Sequence, residues 1–351
     1  MAPKVLGAKR GAGGASQRAA APIPGGPPQA EVQVATSGER ANVCLRIRPA
    51  LTEEEGQDNT ALQCDRANRL VWALGEHEEG VVESTAPRQY AFDEVLEQHV
   101  GQSEVFDLVA MQPVQAAMDG NVGCVLCFGA SGAGKDFSLR CERPGQEGLL
   151  LRALALIFSG SASLVASTPR GSVRSVPDTS DGDVRVKVSY LLLTPDQQVH
   201  DLFGQQTLES NGSDWLKRMD LIGHTALAED ATWETAASSP EVMRHLSKAD
   251  ALRTESLPRE GSHSLILLKV KGERSEGVLV FGSLASIDAM RGAPGSEMAN
   301  EALATSIEAA GKCLEALSRS KKAVPPVHES NLTTLLSPAL GGPGASREGV
   351  T

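Results

Sequence analysis

Short stretches in which apolar and polar residues alternate, or which are apolar throughout, predict the β-strands of this chain. They lie at 42–48, 124–128, 184–194, 264–271 and 277–282. Apolar residues that recur every three or four positions predict helices at 103–120, 148–158 and 297–319. We expect Ser103 to cap the first helix and Gly120 to end it. Strands that alternate with helices predict an α/β fold, a sheet with helices on both faces.

The regions outside these elements have the composition of linkers. Residues 1–40 are rich in Gly, Ala, Pro and Gln without periodicity, which is typical of a disordered tail. Loops are predicted at 159–183 and at 205–215, and 343–351 reads as a flexible C-terminus. No heptad repeat follows the folded region, so we expect a monomer.

Composition and charge argue against two classes of partner. Aromatic residues make up only 3% of the 351 residues, which disfavours nucleic-acid modules that stack bases on aromatic rings. The net charge is −11, of which the first 40 residues contribute +3, so the acidic remainder repels polyanions. A membrane span is not expected, because Arg152 interrupts the best apolar run. We therefore expect neither a nucleic acid nor a membrane as partner.

The six cysteines include one C-x-x-C pair, Cys124 and Cys127, inside a predicted apolar strand. A zinc site needs a second pair of ligands, and no further Cys or His pair lies nearby in the sequence. Buried, reduced thiols of a cytoplasmic protein are the better interpretation, and we assign no metal ligand.

A glycine-rich loop after the predicted strand 124–128 is the strongest local signal. It matches the phosphate-binding pattern G-x-x-x-x-G-K-[ST] except at its last position, which holds a carboxylate. Its residues are Gly129, Ala130, Ser131, Gly132, Ala133, Gly134, Lys135 and Asp136. In such loops the backbone N–H groups surround phosphate oxygens, the lysine reaches the terminal phosphates, and the final hydroxyl binds Mg²⁺.

Asp136 changes the chemistry expected of this loop. A carboxylate can bind Mg²⁺, but two like charges about 4 Å apart repel by about 4 kcal/mol at an effective dielectric near 20. In a loop without nucleotide, Asp136 would interact favourably with the N-terminus of the following helix. We therefore hypothesise a loop that is stabilised in its empty form.

The order of the motifs resembles the kinesin motor domain across residues 41–342. The motifs that carry the resemblance are Arg46-Ile-Arg-Pro49, Tyr90–Val95, Gln102–Phe106, the glycine loop, Val188–Leu191 with Asp201-Leu202, Val324–Leu336 and Gly341-Gly342. The resemblance implies a three-layer α/β head with a central mixed sheet, ATP and Mg²⁺ as cofactors, and a microtubule as partner. It implies that Arg46, Arg48 and Pro49 contact adenine, and that Asp201-Leu202 marks the start of a helix.

The departures from the family's pattern fall at its two switch segments. In the first, Ser256–His263, Ser262 and His263 are retained, whereas Glu260 and Gly261 stand for the family's serine and arginine. In the second, Ser283–Asp288, Ser283 stands for the metal-shell aspartate and Ser286 for the glycine that senses the terminal phosphate; Asp288 stands for a glutamate. Phosphoryl transfer depends on such positioning groups, so we assign no catalytic residue.

The segments that face the filament in the family are also depleted in basic residues. His328 and Asn331 stand where the family has Arg and Lys, and the loop after the second switch keeps only Arg291. The basic run 318–322 and the N-terminal tail remain candidate contacts with tubulin, although such a run is equally typical of a solvated loop.

Three functional hypotheses follow from the sequence. The first is a cytoplasmic, cytoskeletal kinesin-like protein that does not hydrolyse ATP, binds microtubules weakly and acts as a scaffold. The alternative is an active ATP-dependent microtubule motor. A hydrolytic triad built on Ser262 and His263 is a third, and the absence of a nucleophile elbow favours a structural role for these residues.

Overall fold

The computed structural model describes most of the chain from residue 41 to residue 340. The described ranges are 41–50, 62–73, 87–159, 186–208, 231–252, 257, 261–271, 276–286, 297–319 and 324–340. The predicted tail 1–40, the end 343–351 and nearly all of the predicted loop 159–183 lie outside them.

Twelve strands are formed by the described residues. They are β1 Cys44–Arg46, β2 Leu62–Asp65, β3 Leu70–Ala73, β4 Arg88–Ala91, β5 Glu94–Leu96, β6 Val122–Cys127, β7 Val186–Leu193, β8 Val199–Asp201, β9 Gln206–Leu208, β10 Glu234–Ala236, β11 His263–Lys271 and β12 Glu276–Ser283.

Seven α-helices accompany them in the same ranges. They are α1 Gln102–Val105, α2 Met111–Met118, α3 Lys135–Arg140, α4 Leu149–Ser159, α5 Ser239–Ala251, α6 Glu297–Arg319 and α7 Asn331–Leu335. A π-helical turn, Phe106–Ala110, joins α1 to α2, and a 3₁₀ turn, Val327–Glu329, precedes α7.

The main sheet is mixed, as the resemblance implied. Its order is β6-β12-β11-β7-β8-β9, and β10 pairs with β7 beside β8. β6 and β12 run parallel, and all other pairs in this sheet are antiparallel. β1 and β5 form a separate parallel pair, and β2, β3 and β4 form a small antiparallel sheet.

Helices cover both faces of the main sheet, so the predicted three-layer α/β architecture is confirmed. Successive side chains of a strand point to opposite faces. Leu192 and Ile266 therefore pack with α2, α4 and α5, whereas Leu191 and Leu265 pack on the other face with α6 and α7. Strands that are buried on both faces read as nearly continuous apolar runs, and β7 and β11 do.

The predicted helix 103–120 is not a single helix. It begins at Gln102 with Gly101 as N-cap, so the prediction of Ser103 as cap is wrong. Pro113 has no N–H and its ring crowds the carbonyl four residues earlier, and the π turn just before it accommodates this defect. Gly120 does end the helix, with a φ of 87° just after the last turn.

Two further expectations are corrected by the structure. Asp201-Leu202 does not start a helix, because Asp201 ends β8 and its carboxylate accepts bonds from the N–H groups of Phe203, Gly204 and Thr232. The predicted loop 205–215 contains strand β9 at its start, and its residues from 209 onward lie outside the described ranges.

A partly buried polar triad ties α3 to the sheet and to α5. Arg140 donates to the Asp250 carboxylate at 2.8 Å and to the Tyr190 hydroxyl at 3.1 Å, and that hydroxyl lies 3.2 Å from Asp250. The Arg140 and Asp250 side chains are only 18% and 14% exposed. Removing one member of such a largely desolvated pair leaves the other charge without compensation.

We predict that Asp250→Ala lowers the free energy of unfolding by about 3 kcal/mol, measured by urea denaturation. Tyr190→Phe, which removes one hydroxyl, should cost about 1 kcal/mol. Lys312→Ala is the control, because its pairs with Glu308 and Glu329 are exposed and should contribute no measurable stability. An Asp250→Ala protein as stable as this control would contradict the structural role of the triad.

Candidate functional site

The glycine loop lies between a buried strand and a helix, as its pattern predicted. It follows β6 and leads into α3, which begins at Lys135. Gly132 and Gly134 have φ angles of 74° and 88°, in the left-handed region that favours glycine. Gly134 is the N-cap of α3, and its carbonyl accepts the N–H of Ser138 at 2.9 Å.

The lysine of this loop is bound to the loop itself. Lys135 Nζ donates to the carbonyl oxygens of Gly129 and Ala130 at 2.8 and 3.0 Å. Two of the three N–H donors of the ammonium are thereby occupied by the protein. The ammonium is therefore bound to the loop, whereas in a phosphate-binding loop it reaches the terminal phosphates.

A first cavity, of about 360 Å³, lies between β1 and β6 and reaches the loop. It brings together all three residues that the resemblance assigned to adenine, Arg46, Arg48 and Pro49, with Gly134 and Lys135. These side chains are close to the loop, and their role in nucleotide binding stays a prediction.

Arg46 is held in place by the protein on the wall of this cavity. Its guanidinium donates to Gln102 Oε1 and to Ser138 Oγ, both at 2.7 Å, and lies 5.4 Å from the centre of the Phe137 ring. Gln102 is itself 4% exposed and donates to the carbonyl of Phe137. These contacts could not be predicted from the sequence, because Gln102 lies one residue before the predicted helix 103–120.

A second cavity, of about 320 Å³, lies on the other side of the loop. The retained and altered switch residues meet there: Ser262, Ser283 and Ser286 line it together with Ser131, Gly132, Ala133, Asp136, Arg140 and Gly261. The structure therefore unites the two switch segments with the loop, although each segment lies 120 or more residues after the loop along the chain. Glu260 and Asp288 lie outside the described residues.

His263 connects the two switch segments and is not part of the second cavity's lining. Its Nδ1 accepts the N–H of Ala285 at 3.0 Å, and the ring is fully buried. Burial lowers the pKa of His263 to about 4, so the ring is neutral at pH 7. His263 thus holds structure through its bond to Ala285, and within the described residues no Asp or Glu bonds to its ring.

The cysteine pair lies in β6 and lines the first cavity. Burial raises the pKa of the Cys124 and Cys127 thiols to about 12, so both are protonated near neutral pH. Within the described ranges, no group of three or more His, Cys, Asp or Glu side chains is placed to hold a metal ion.

The predicted filament-facing positions are only partly described. His328 is exposed on the 3₁₀ turn, whereas Asn331 donates from Nδ2 to the carbonyl of Gln197 at 2.6 Å. Asn331 therefore anchors α7, whose N-cap is Ser330 in a capping box with Thr333. Arg291 and most of the run 318–322 lie outside the described residues.

Comparison with known proteins gives a consistent family. The sequence model of the kinesin motor domain family matches residues 46–347. Kinesin-like protein KIN-14C of Arabidopsis thaliana is 27% identical over 317 residues, covering 86% of this chain and 39% of that protein. Kinesin-like protein KIFC1 of Homo sapiens is 27% identical, covering 86% of this chain and 47% of that protein. The chain thus spans less than half the length of these relatives.

A solved structure shows the same fold. The motor domain of the Kar3-like kinesin from Ashbya gossypii has a TM-score of 0.61 to this chain at 20% sequence identity. The match covers 86% of this chain and 88% of that one. In the part of the chain that the structure describes, no helix has the length and apolar character needed to cross a membrane.

The His263 geometry generates a pH prediction. A histidine whose folded-state pKa is below its unfolded value of about 6.5 stabilises the fold above that value and loses the contribution as pH falls towards 4. The contribution is about 3 kcal/mol at neutral pH. His263→Asn retains an acceptor for the Ala285 N–H but does not titrate.

We therefore expect the unfolding free energy of the natural chain to fall more between pH 7 and pH 4.5 than that of His263→Asn. Urea denaturation at both pH values measures this difference. Ser262→Ala, at the neighbouring buried position, removes no titratable group and is the control for a substitution at this place. Equal slopes for the natural chain and His263→Asn would show that His263 does not couple folding to protons.

Proposed function

Since the chain belongs to the kinesin motor domain family, we propose that it is a microtubule-associated protein whose motor domain no longer hydrolyses ATP. In this proposal the domain acts as a scaffold or binding module in the cytoskeleton of the cytoplasm. Its site would keep the architecture of a nucleotide loop without the groups that turnover needs.

This proposal rests on the bonding partners of the two cationic side chains around the second cavity. Lys135 and Arg140 are the two cations among the described lining residues. Lys135 is bound to the loop carbonyls, and Arg140 is paired with Asp250. Phosphoryl transfer needs positive charge directed at the transferred group, and here both charges already have protein partners.

The side chains at the positions where a magnesium ion would be bound support the same proposal. In this family, ATP supplies the phosphoryl group, and the Mg²⁺ bound with it supplies the positive charge that neutralises the phosphates. Here Asp136 replaces the hydroxyl that the loop pattern places next to the lysine, and it is the only carboxylate among the described residues of the second cavity. Ser283 ends β12 where the family's metal-shell aspartate would stand. This donor set does not fit a magnesium ion held for hydrolysis.

The active motor is the second candidate, because the strand, loop and helix are all formed. Gly132 and Gly134 have the left-handed backbone that the loop requires, and Lys135 is in place. In this alternative, ATP would have to displace the two carbonyls from the lysine and tolerate Asp136. ATP affinity and turnover separate the two candidates.

We predict that Asp136→Thr tightens the binding of ATP with Mg²⁺ by about tenfold or more, measured by calorimetric titration. The change removes a carboxylate next to the phosphates and supplies the hydroxyl of the loop pattern; about 1.4 kcal/mol of relieved repulsion gives a factor of ten.

Asp119→Thr is the matched control, because Asp119 is also exposed but lies at the end of α2, away from the loop. It should leave the affinity unchanged. An Asp136→Thr protein with the affinity of the natural chain would contradict the hypothesis that this carboxylate blocks the loop.

We also predict weak cosedimentation with microtubules that does not depend on nucleotide. Deletion of residues 1–40 should lower the bound fraction, because this segment carries +3 of charge and the rest is acidic. Raising the salt concentration should have the same effect on the full chain, since exposed charges are screened.

The readout is the pelleted fraction at a series of tubulin and salt concentrations, with ATP, with ADP and without nucleotide. Bovine serum albumin, an acidic protein without the tail, serves as the control for trapping in the pellet. A chain that stays in the supernatant under all conditions would contradict microtubule association, and binding that ATP releases would favour the motor.

A further inference from the structure

Strand β4 lies at one edge of the small antiparallel sheet and is open to solvent along its whole length. In the described part of the chain the order of this sheet is β2-β3-β4, so β4 pairs there with β3 alone. All four of its residues, Arg88–Ala91, are exposed, and Tyr90 is 46% exposed. An edge strand whose outward backbone groups are unpaired is a template for another strand. β4 therefore offers a surface on which a further strand can pair.

The hydrogen bonds to β3 identify which backbone groups of β4 point outwards. Phe92, just after β4, donates its N–H to the carbonyl of Arg69 at 3.1 Å, and these two residues continue the register of β3 and β4. Backbone groups of a strand alternate between its two edges from one residue to the next. Tyr90 therefore faces β3, as Phe92 does, whereas the N–H and C=O groups of Gln89 and Ala91 face away from the sheet. We call these groups the outer edge of β4.

A second copy of this chain fits the outer edge, because β4 is complementary to itself in antiparallel orientation. When two copies are related by a two-fold axis at Tyr90, Gln89 of each copy lies opposite Ala91 of the other. Both residues point outwards, so each pair exchanges both of its N–H···O=C bonds. The same patch then serves both copies, which is the isologous arrangement of a closed dimer.

The ends of β4 favour this register over its neighbours. An axis at Gln89 would place Ala91 opposite Pro87, which lies outside the strand and has no N–H to donate. An axis at Ala91 would place Gln89 opposite Asp93, whose N–H already donates to the carbonyl of Val43 at 2.8 Å. The register centred on Tyr90 is the one in which both outward residues of β4 pair with residues of β4.

The side chains in this register are compatible with the pairing. Tyr90 lies opposite Tyr90 of the second copy at a non-hydrogen-bonded position, where the side chains of antiparallel strands are closest. Aromatic pairs at such positions stabilise a sheet. Arg88 of one copy and Arg88 of the other are four residues apart along the strands, or about 14 Å. Exposed charges at this separation are largely screened at physiological salt concentration.

We propose that this chain self-associates through the outer edge of β4 into a two-fold dimer, in which the two small sheets form one continuous antiparallel sheet. The contact is smaller than a standard protein interface, so the dimer is weak and forms as the protein concentration rises. The expectation of a monomer rested on the lack of a heptad repeat, and an open strand edge is a different route to a dimer. This association requires neither nucleotide nor microtubules.

Sedimentation velocity of the full chain measures the association. We expect the weight-average sedimentation coefficient to rise between about 5 and about 500 μM protein, with a dissociation constant of about 100 μM. Tyr90→Lys places two ammonium groups opposite each other and should weaken the association about tenfold or more, since like charges at opposite positions destabilise a strand pair. Leu62→Lys is the matched control, because Leu62 is 45% exposed and lies on β2, at the other edge of the same sheet. It should associate like the natural chain.

Disulfide formation tests the register. In Tyr90→Cys the two introduced thiols would lie at opposite non-hydrogen-bonded positions, with Cα atoms about 4.5 Å apart, which is within the range that a disulfide spans. We expect diamide to join two chains at position 90, identified by peptide mapping after non-reducing electrophoresis. Arg88→Cys is the matched control, because its two thiols would be about 14 Å apart and should not join. The natural chain, with six cysteines, gives the background of the oxidation.

Hydrogen exchange follows the backbone groups themselves. We expect the amides of Gln89 and Ala91 to exchange fast in dilute protein and to become protected as its concentration rises. Protection already present in dilute protein would overturn the proposal, because a segment of the same chain would then cover the edge. A sedimentation coefficient that does not change with concentration would also refute it. Equal association of Tyr90→Lys and the natural chain, or oxidation that joins Arg88→Cys as readily as Tyr90→Cys, would show a contact elsewhere or without this register.

Discussion

Two neighbouring parallel strands of the main sheet, β6 and β12, end side by side at the same end of the sheet. The N–H of Leu284 donates to the carbonyl of Cys127 at 2.8 Å, just where the glycine loop begins on one strand and the second switch segment on the other. This pairing fixes the start of the glycine loop next to the start of the second switch segment. His263, at the start of β11, adds the bond to Ala285 that ties the first switch segment to the second.

Within this frame, three cations that line the cavities are bound to other groups of the protein. Lys135 is bound to loop carbonyls, Arg46 to Gln102 and Ser138, and Arg140 to Asp250. Such contacts stabilise a fold, because each buried cation is paired or hydrogen-bonded. The contacts of Lys135 are also those that a working phosphoryl-transfer site would have to exchange for phosphate oxygens, so the altered switch positions and the bound lysine support the same interpretation.

The sequence predicted the strands and helices whose periodicity is strong, such as β11, β12 and α6, together with the loop and its flanking elements. It did not predict the π turn at Phe106–Ala110, because that turn accommodates Pro113 and the packing around it and has no pattern of its own in the sequence. The meeting of Ser262 with Ser283 and Ser286 was accessible only through the family resemblance.

Phosphate release from ATP by the purified chain, in steady state and with saturating microtubules, tests the central claim most directly. The account predicts release no faster than that of a Lys135→Ala protein. The reasons are that the cations of the site already have protein partners, and that Asp136 and Ser283 stand where the family has its metal-binding groups. Microtubule-stimulated release that Lys135→Ala abolishes would contradict the account, because the lysine would then leave the loop carbonyls and act on the nucleotide.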